Sequence, residues 1–504
     1  MALSVLPQRD SLGVKDGQLY IDGTWRDASD GATWTHHHPA TAEEIGRFAV
    51  ASPSDVAAAV DAARRAFDDG AWARMRVQER RRLLQRIGQI VGEHADELDR
   101  LQALDNSVPL SMANITWLLS ARFITEAFEH NAGWIDKLTG ETYPPYAGGD
   151  HLLMTMREPV GVVAAIIPWN APLMLFAQKV APALAAGNTV VLKPSEYASF
   201  AVIRLVQLLE EAGVPRGVFN LVTGPGDPTG EALITDPRVD KVSFTGSRAV
   251  GTRIMAAAAE RIGRVSLELG GKSPTLVFPD APDLGMAAAT AMGMVSMGLS
   301  GQGCVVHTRA LVHESIYDDF IAGAAAMSGV PTYGDPFDPA VTAAPLINVK
   351  QLDRVTGYIA AGVEAGARLV CGGDRPGGDL SSGNFVNATL FADVDNSMSI
   401  ARDEIFGPVL GVIPFKDEDE AIRIANDTTY GLGASVYTTD VRRAFRVAKA
   451  IRAGTFGING YTVEPHAPFG GFKQSGIGRE GGRESIEAFT ELKTIIAPLT
   501  DDLF

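Results

Sequence analysis

Only two of the 504 residues are cysteines, Cys304 and Cys371, and Cys304 alone stands in a setting that suggests chemistry. It follows the turn Gly301-Gln302-Gly303 and precedes Val305-Val306. A thiolate at such a turn can attack an electrophilic carbon; a thiol in the same place is also a small buried hydrophobe. His307 lies three residues on and would form a Cys–His dyad if it faced the thiol, but on a strand-like run it points away. Glu268, in Leu267-Glu268-Leu269-Gly270-Gly271-Lys272, is the second candidate. Buried among leucines and glycines, its carboxylate would have a raised pKa, which suits a general base; a surface Glu at a strand end is the plain alternative. The third is Asn170, in Ile167-Pro168-Trp169-Asn170. Its amide can donate to a developing oxyanion or start a helix ahead of Pro172.

A second group has the character of a nucleotide site. Lys193, in Leu192-Lys193-Pro194-Ser195-Glu196, can donate to ribose hydroxyls or a phosphate, and Glu196 can accept from ribose hydroxyls. The segment also reads as a surface turn with Ser195 as a helix cap. Two glycine-containing turns follow, one from Thr223 through Gly226 to Gly230 and one at Phe244-Thr245-Gly246-Ser247. Small residues there let backbone N–H groups approach a pyrophosphate at a helix start. Neither turn matches G-x-G-x-x-G, so the standard dinucleotide fingerprint is absent, and both also read as ordinary turns.

Elements must position these residues, and the hydrophobic pattern predicts them. Strands are expected at 160–167, 189–192, 218–222, 241–244 and 265–267. Helices lie between them at 172–185, stopped by Gly187, at 199–212, and from Ser247 onward. This alternation predicts an α/β fold with a doubly wound, mostly parallel sheet. It restarts after Gly271, with strands at 275–278, 310–312, 409–415 and 434–437 and helices near 283–295, 315–327, 348–365, 417–425 and 440–450. Earlier, Ser52-Pro53-Ser54-Asp55 is a helix-start signal for 52–68. Residues 78–104 carry apolar positions at helical spacing. The triplet His36-His37-His38 reads as a solvated loop ahead of Pro39, because no spaced Cys or carboxylate accompanies it as a metal partner. The strand-like tail 490–496 can add to a sheet edge.

Composition narrows the classes. Apolar residues are 46% and charged residues 21%, as in globular proteins. Length over ~150 residues per domain gives roughly three domains. With 44 Lys and Arg against 60 Asp and Glu, the net charge of −16 argues against nucleic-acid or anionic-membrane partners. Two cysteines exclude a disulfide framework and favour a reducing compartment, so a cytoplasmic location is expected. Met1 to Lys15 shows no apolar signal region. Residues 159–177 are uncharged, but Pro159, Pro168, Asn170 and Pro172 interrupt them, so a buried strand, turn and helix are expected rather than a membrane span.

In their order and spacing, Pro168-Trp169-Asn170, Lys193 to Glu196, Phe244 to Ser247, Glu268 to Pro274, Gly301 to Cys304, Glu404 to Val409 and Pro468 to Gly476 resemble the aldehyde dehydrogenase superfamily, from about residue 18 to 497. The resemblance implies that Cys304 attacks an aldehyde, that the Asn170 side chain and the Cys304 N–H hold the oxyanion, and that Glu268 activates water to release the acid. It implies NAD as cofactor, with Lys193 and Glu196 at the adenosine ribose and Gly226, Gly230, Gly246 and Ser247 at the pyrophosphate. Ile166, Trp169 and Phe244 would lie along the dinucleotide, and Glu404 and Phe406 at the nicotinamide ribose. No metal is implied. The Glu196 carboxylate would repel a 2′-phosphate, favouring NAD over NADP. Glu268 favours hydrolysis over acyl transfer to CoA.

The resemblance further implies a cofactor lobe at 1–137 and 158–270, a catalytic lobe at 271–479, and an arm at 138–157 and 480–504 that pairs with another subunit, giving a homodimer or homotetramer. The chain departs from the family pattern at Leu299, Ala171, Gln178, Val305, His307 and His38. Ala171 and Gln178 suggest a roomier, partly polar aldehyde tunnel, with Tyr461, Glu464, His466 and Phe469 at its floor. Glu464 or His466 would favour a polar or amino-bearing aldehyde, or else form a solvated rim. Two other classes fit parts of the pattern. The cofactor segments speak against a thiol hydrolase of esters. The intact Cys304, Glu268 and Asn170 speak against a non-catalytic relative.

Overall fold

The structure, a computed structural model, describes residues 3–70, 72, 74–146 and 150–499. Positions 1, 2, 71, 73, 147–149 and 500–504, which the expected lobe and arm boundaries include, lie outside the described residues.

Among the described residues the strands form four sheets, and two large ones set the architecture. The first runs in the order Gly476–Ile477, Arg264–Glu268, Lys241–Thr245, Val162–Ile166, Thr189–Lys193, Phe219–Leu221, Leu19–Ile21 and Thr24–Arg26. Its five middle strands are parallel. The second runs Arg368–Cys371, Thr389–Ala392, Val409–Phe415, His307–His313, Ser273–Val277, Gly433–Tyr437 and Thr455–Ile458, and is parallel except at its first pair. Helices cover both faces, so the inner strands are apolar on both sides. Val163 and Ala165 enter one core while Val162 and Ala164 enter the opposite one. In the second sheet Leu276 and Leu311 face one core, and Val277, Ala310 and Val312 the other. The molecule is thus the α/β protein that the alternation predicts.

Local signals explain the element ends. Ser52 accepts from the Asp55 N–H and the Asp55 carboxylate accepts from the Ser52 N–H, a reciprocal cap on the helix Pro53–Asp68. The helix Pro172–Ala186 begins on a proline and ends at Gly187, whose φ of +98° closes the last turn. No helix among the described residues is long and apolar enough to cross a membrane.

Two expectations need correction. The helical stretch at 78–104 is two helices, Val77–Glu93 and Ala95–Asn106, broken at His94. The histidine triplet is not a solvated loop. His36 and His37 end the strand Thr33–His37, and His36 and His38 are buried. The His36 ring nitrogen Nε2 lies 2.9 Å from the Asp105 carbonyl, and His38 Nε2 bonds the Ser107 hydroxyl at 2.8 Å. Both rings are satisfied core groups, held neutral by burial, which lowers them to about 4 and about 3.

A segment from the second half returns to the first sheet. Gly476–Ile477 pairs antiparallel with Leu267 and Glu268. Just before it, the Ser475 carbonyl accepts from the Leu269 N–H at 2.9 Å. The Ser475 hydroxyl donates to the Gly270 carbonyl at 2.7 Å and accepts from the Gly431 N–H, next to the second sheet's Gly433–Tyr437, at 2.9 Å.

Candidate active site

Parallel register brings several predicted residues to one rim. Ile166 pairs with Lys193 on one side and with Phe244 on the other, and Thr245 pairs with Glu268. This is the carboxyl edge of the first sheet, where such sheets bind ligands. Lys193 is almost wholly buried there, and burial lowers its ammonium to about 8. Its Nζ donates to the Pro194 carbonyl at 3.0 Å, which occupies one of three N–H donors. Gly246 must lack a side chain, since a Cβ would come 2.4 Å from the Phe244 ring. Ser247 caps the helix Arg248–Ala259, its hydroxyl accepting from the Val250 N–H. Gly226 and Gly230 bound a short turn beneath the Lys193 arm. Glu196 is partly exposed beside Lys193. Trp169 meets Phe406 edge-on, with ring centroids 5.5 Å apart.

Three loops converge on Cys304. A Cβ on Gly271 would stand 2.5 Å from the Cys304 carbonyl oxygen, so that glycine admits the cysteine loop. The Gln302 side chain pins the loop by donating to the Leu299 and Pro345 carbonyls and accepting from the Ile347 N–H. The Asn170 amide donates to the Gln302 carbonyl at 2.9 Å, two residues from Cys304. The third loop carries Glu404, whose carboxylate accepts from the Gly271 N–H at 3.2 Å. The Gln351 amide donates to the Ile405 and Phe406 carbonyls, which holds Phe406 at a φ of +62° that a bulky residue rarely adopts.

The electrostatics divide the roles. Burial raises Glu268 well above the usual carboxylate range, the Glu480 carboxylate adds to this, and its Oε2 has no hydrogen-bond partner. Such a carboxylate is an avid proton acceptor. Burial pushes Glu404 up to about 7. The Cys304 thiol is half-buried and is pushed up to about 12 by burial, with Glu404, Glu268 and Glu480 adding to the shift. His307 does not form a dyad with it. Its Nδ1 meets the Thr275 and Ser435 hydroxyls at 2.9 and 3.0 Å, and burial lowers it to about 3. Its ring packs edge-on against Tyr461.

Sequence reading missed Lys179 and Glu480, a buried ion pair beside Glu268. Lys179 lies in the run Pro172–Ala186, and its charge in an otherwise uncharged helix is the signal that could have found it. Tyr461 and Phe469 cluster with Cys304, Val305 and Leu118. His466 is exposed and Glu464 partly so, with 3.9 Å between them, and both side chains meet solvent.

The profile of the aldehyde dehydrogenase family matches residues 25–495. A mitochondrial aldehyde dehydrogenase of Arabidopsis thaliana, family 2 member B4, is 41% identical over 493 residues, covering 97% of this chain and 89% of its own. Among solved structures, the NAD-dependent aldehyde dehydrogenase of Sinorhizobium meliloti superposes with a TM-score of 0.92 at 40% identity, covering 97% of this chain and 96% of its own. The betaine aldehyde dehydrogenase of Staphylococcus aureus, in complex with NAD+, superposes at 0.94 with 35% identity, covering 99% of each chain. The chain belongs to the aldehyde dehydrogenase family.

Proposed function

We propose that this chain oxidises an aldehyde to its carboxylic acid with NAD, using Cys304 as nucleophile, Asn170 and the Cys304 N–H as oxyanion donors, and Glu268 as general base. The carrying observation is the meeting of the Gly271, Cys304 and Glu404 loops beneath the Asn170 amide, with a high-pKa carboxylate at the adjacent strand end.

The residues at the sheet rim suit a dinucleotide. Lys193 has donors to spare for ribose hydroxyls, and Thr245 Oγ1 is buried without a partner. Glu196 would accept from the same ribose and disfavour a 2′-phosphate. Gly226, Gly230, Gly246 and Ser247 would hold the pyrophosphate, Ile166, Trp169 and Phe244 the length of the dinucleotide, and Glu404 and Phe406 the nicotinamide ribose. When bound, NAD supplies the hydride acceptor.

The protein's part follows from its own groups. The Cys304 sulfur adds to the aldehyde carbon and, with a thiol pushed up to about 12, passes its proton to a solvent water as it attacks. The Asn170 amide, swung from the Gln302 carbonyl, meets the negative charge on oxygen. Loss of hydride from that carbon leaves a thioester on Cys304. Glu268 takes a proton from water, which attacks the thioester and frees the acid.

We assign the cofactor lobe to 1–137 and 158–270, the catalytic lobe to 271–479, and a subunit-pairing arm to 138–157 and 480–504. Supporting the arm, Thr490–Pro498 forms the free edge of a three-stranded sheet with His151–Pro159 and Thr142–Tyr143, and Leu492 and Ile496 on it are exposed. The test of the function is NADH formation over a panel of aldehydes, with and without CoA, with Cys304→Ala in parallel. CoA-independent activity abolished in Cys304→Ala is expected. Absence of NAD binding would overturn the reading.

A further inference from the structure

The turn that carries Asn170 is thinly held by its own backbone. The Ile167 N–H donates to the Lys193 carbonyl at 3.1 Å, and the Ala171 carbonyl accepts from the Leu175 N–H at 3.0 Å. Between them, among the described residues, no backbone–backbone hydrogen bond holds Trp169 or Asn170. A side chain from another element does so instead. The Asn106 amide donates to the Trp169 carbonyl at 2.8 Å. That carbonyl belongs to the peptide plane joining Trp169 to Asn170, so the bond fixes the backbone from which the Asn170 side chain springs.

Asn106 is itself fixed. It is buried and ends the helix Ala95–Asn106. Its Oδ1 accepts from the Val108 N–H at 3.1 Å, which leaves Nδ2 as the atom that faces Trp169. The histidine triplet clamps both of its neighbours. The Asp105 carbonyl can only accept, so His36 Nε2–H donates to it. His38 Nδ1 accepts from the Ala40 N–H at 3.3 Å, so its Nε2–H donates to the Ser107 hydroxyl. Ser107 holds a φ of +60°, a left-handed helix end that usually falls to glycine. The Asp105 carboxylate caps the helix Phe200–Glu211, accepting from the Phe200 and Ala201 N–H groups at 3.3 and 2.9 Å. The chemistry above uses none of these groups, yet together they lock one amide against the oxyanion turn.

We propose that Asn106 is a positioning residue for the oxidation: by holding the Trp169 carbonyl it aims the Asn170 amide at the developing oxyanion, on a footing set by His36 and His38. This deepens the function above and rests on Asn170 as an oxyanion donor. The Asn170 side chain must swing from the Gln302 carbonyl to the substrate oxygen. Such a swing returns to one point only if its Cα stays in place, and a displacement of about 1 Å at a donor of this kind can cost roughly 10²-fold in rate. Asn106 meets the backbone of the turn rather than the reacting atoms, so its effect passes through Asn170.

The test is a double-mutant cycle on Asn106→Asp and Asn170→Ala. Aspartate keeps the size of the side chain and the bond to Val108, and turns an acceptor toward the Trp169 carbonyl. Asn106→Ala takes its place if that variant does not fold. Rates are taken per NAD-binding site, so loss of folded protein does not count. The Cys304 N–H remains as a second donor, so Asn170→Ala should be slow yet measurable. Asn106→Asp should lower kcat/KM for the aldehyde by about 10–100-fold while Kd for NAD stays within about twofold. In the Asn170→Ala background the same substitution should change kcat/KM by less than about twofold. An equal loss in both backgrounds overturns the proposal, because Asn106 would then act on the fold at large. So does a loss confined to NAD affinity, or an Asn106→Asp enzyme as fast as the wild type beside a slow Asn170→Ala. If Asn170→Ala itself runs at the wild-type rate, the oxyanion reading falls and the positioning with it.

Discussion

Replacing Glu268 with Gln keeps the shape of the side chain and removes its capacity to take a proton. On the mechanism above, attack by Cys304 and loss of hydride survive, and hydrolysis of the thioester does not. Loss of a general base costs about 10²–10⁴-fold in that step, or ~2.7–5.4 kcal/mol of barrier. Rapid mixing should therefore show a burst of NADH approaching the enzyme concentration, followed by a steady state slowed by that factor. The structure adds a pH signature. Because burial and Glu480 raise Glu268 well above the carboxylate range, wild-type kcat should fall as pH drops through the raised value, and Glu268→Gln should lose that limb. Stability should move in the opposite sense. A carboxyl raised in the folded state contributes stability at low pH that is lost as pH rises through its folded value. Glu268→Gln removes that loss, so its melting temperature should match the wild type in acid and exceed it at alkaline pH. Disappearance of the burst would refute the reasoning, because Glu268 would then act before hydride loss, for example on the Cys304 thiol.

Glu196→Gln should raise the NADP to NAD ratio of kcat/KM by about tenfold, the value of ~1.4 kcal/mol of relieved charge repulsion; an unchanged ratio would remove Glu196 from the ribose site. Lys179→Met should cost ~3–5 kcal/mol in chemical denaturation by stranding the buried Glu480 carboxylate, and Lys179→Met with Glu480→Met should recover most of it. The wild-type chain should sediment as an assembly at micromolar concentration, and Ile496→Glu on the exposed arm edge should shift it to smaller species; a monomeric wild type would refute the arm.

What the sequence discloses is what local physics decides. Val409–Phe415 is a strand at the expected residues, because an apolar run bounded by Gly407-Pro408 and Lys416 needs no tertiary information. Pro53–Asp68 starts where Ser52 and Asp55 can cap each other. The break at His94 carries no proline, Gly92 lies inside the first helix rather than at its end, and the apolar spacing runs through, so periodicity cannot see it. The histidine triplet is polar by composition and buried by context, since the backbone and hydroxyl that receive it, at Asp105 and Ser107, lie some seventy residues on. At the site, Cys304 and Asn170 stand out in the sequence because each sits in a distinctive turn, and Glu268 because it closes the strand Arg264–Glu268 just ahead of Gly270-Gly271. The Lys179–Glu480 pair joins residues 301 apart, and no local pattern announces such a contact.

The return of Gly476–Ile477 to the edge of the first sheet also bears on motion. Ser475 joins the turn that follows Glu268 to the loop entering the second sheet, its carbonyl and hydroxyl bonding Leu269 and Gly270 and its hydroxyl also accepting from Gly431. Swinging the two sheets apart would break these bonds together with the edge pairing at Leu267 and Glu268. A hinge motion between the sheets therefore has to break these bonds, whereas rotamer changes and small loop displacements leave them intact. The same coupling should make the halves lose structure together, with backbone amides on either side of Ser475 exchanging at one common, slow rate.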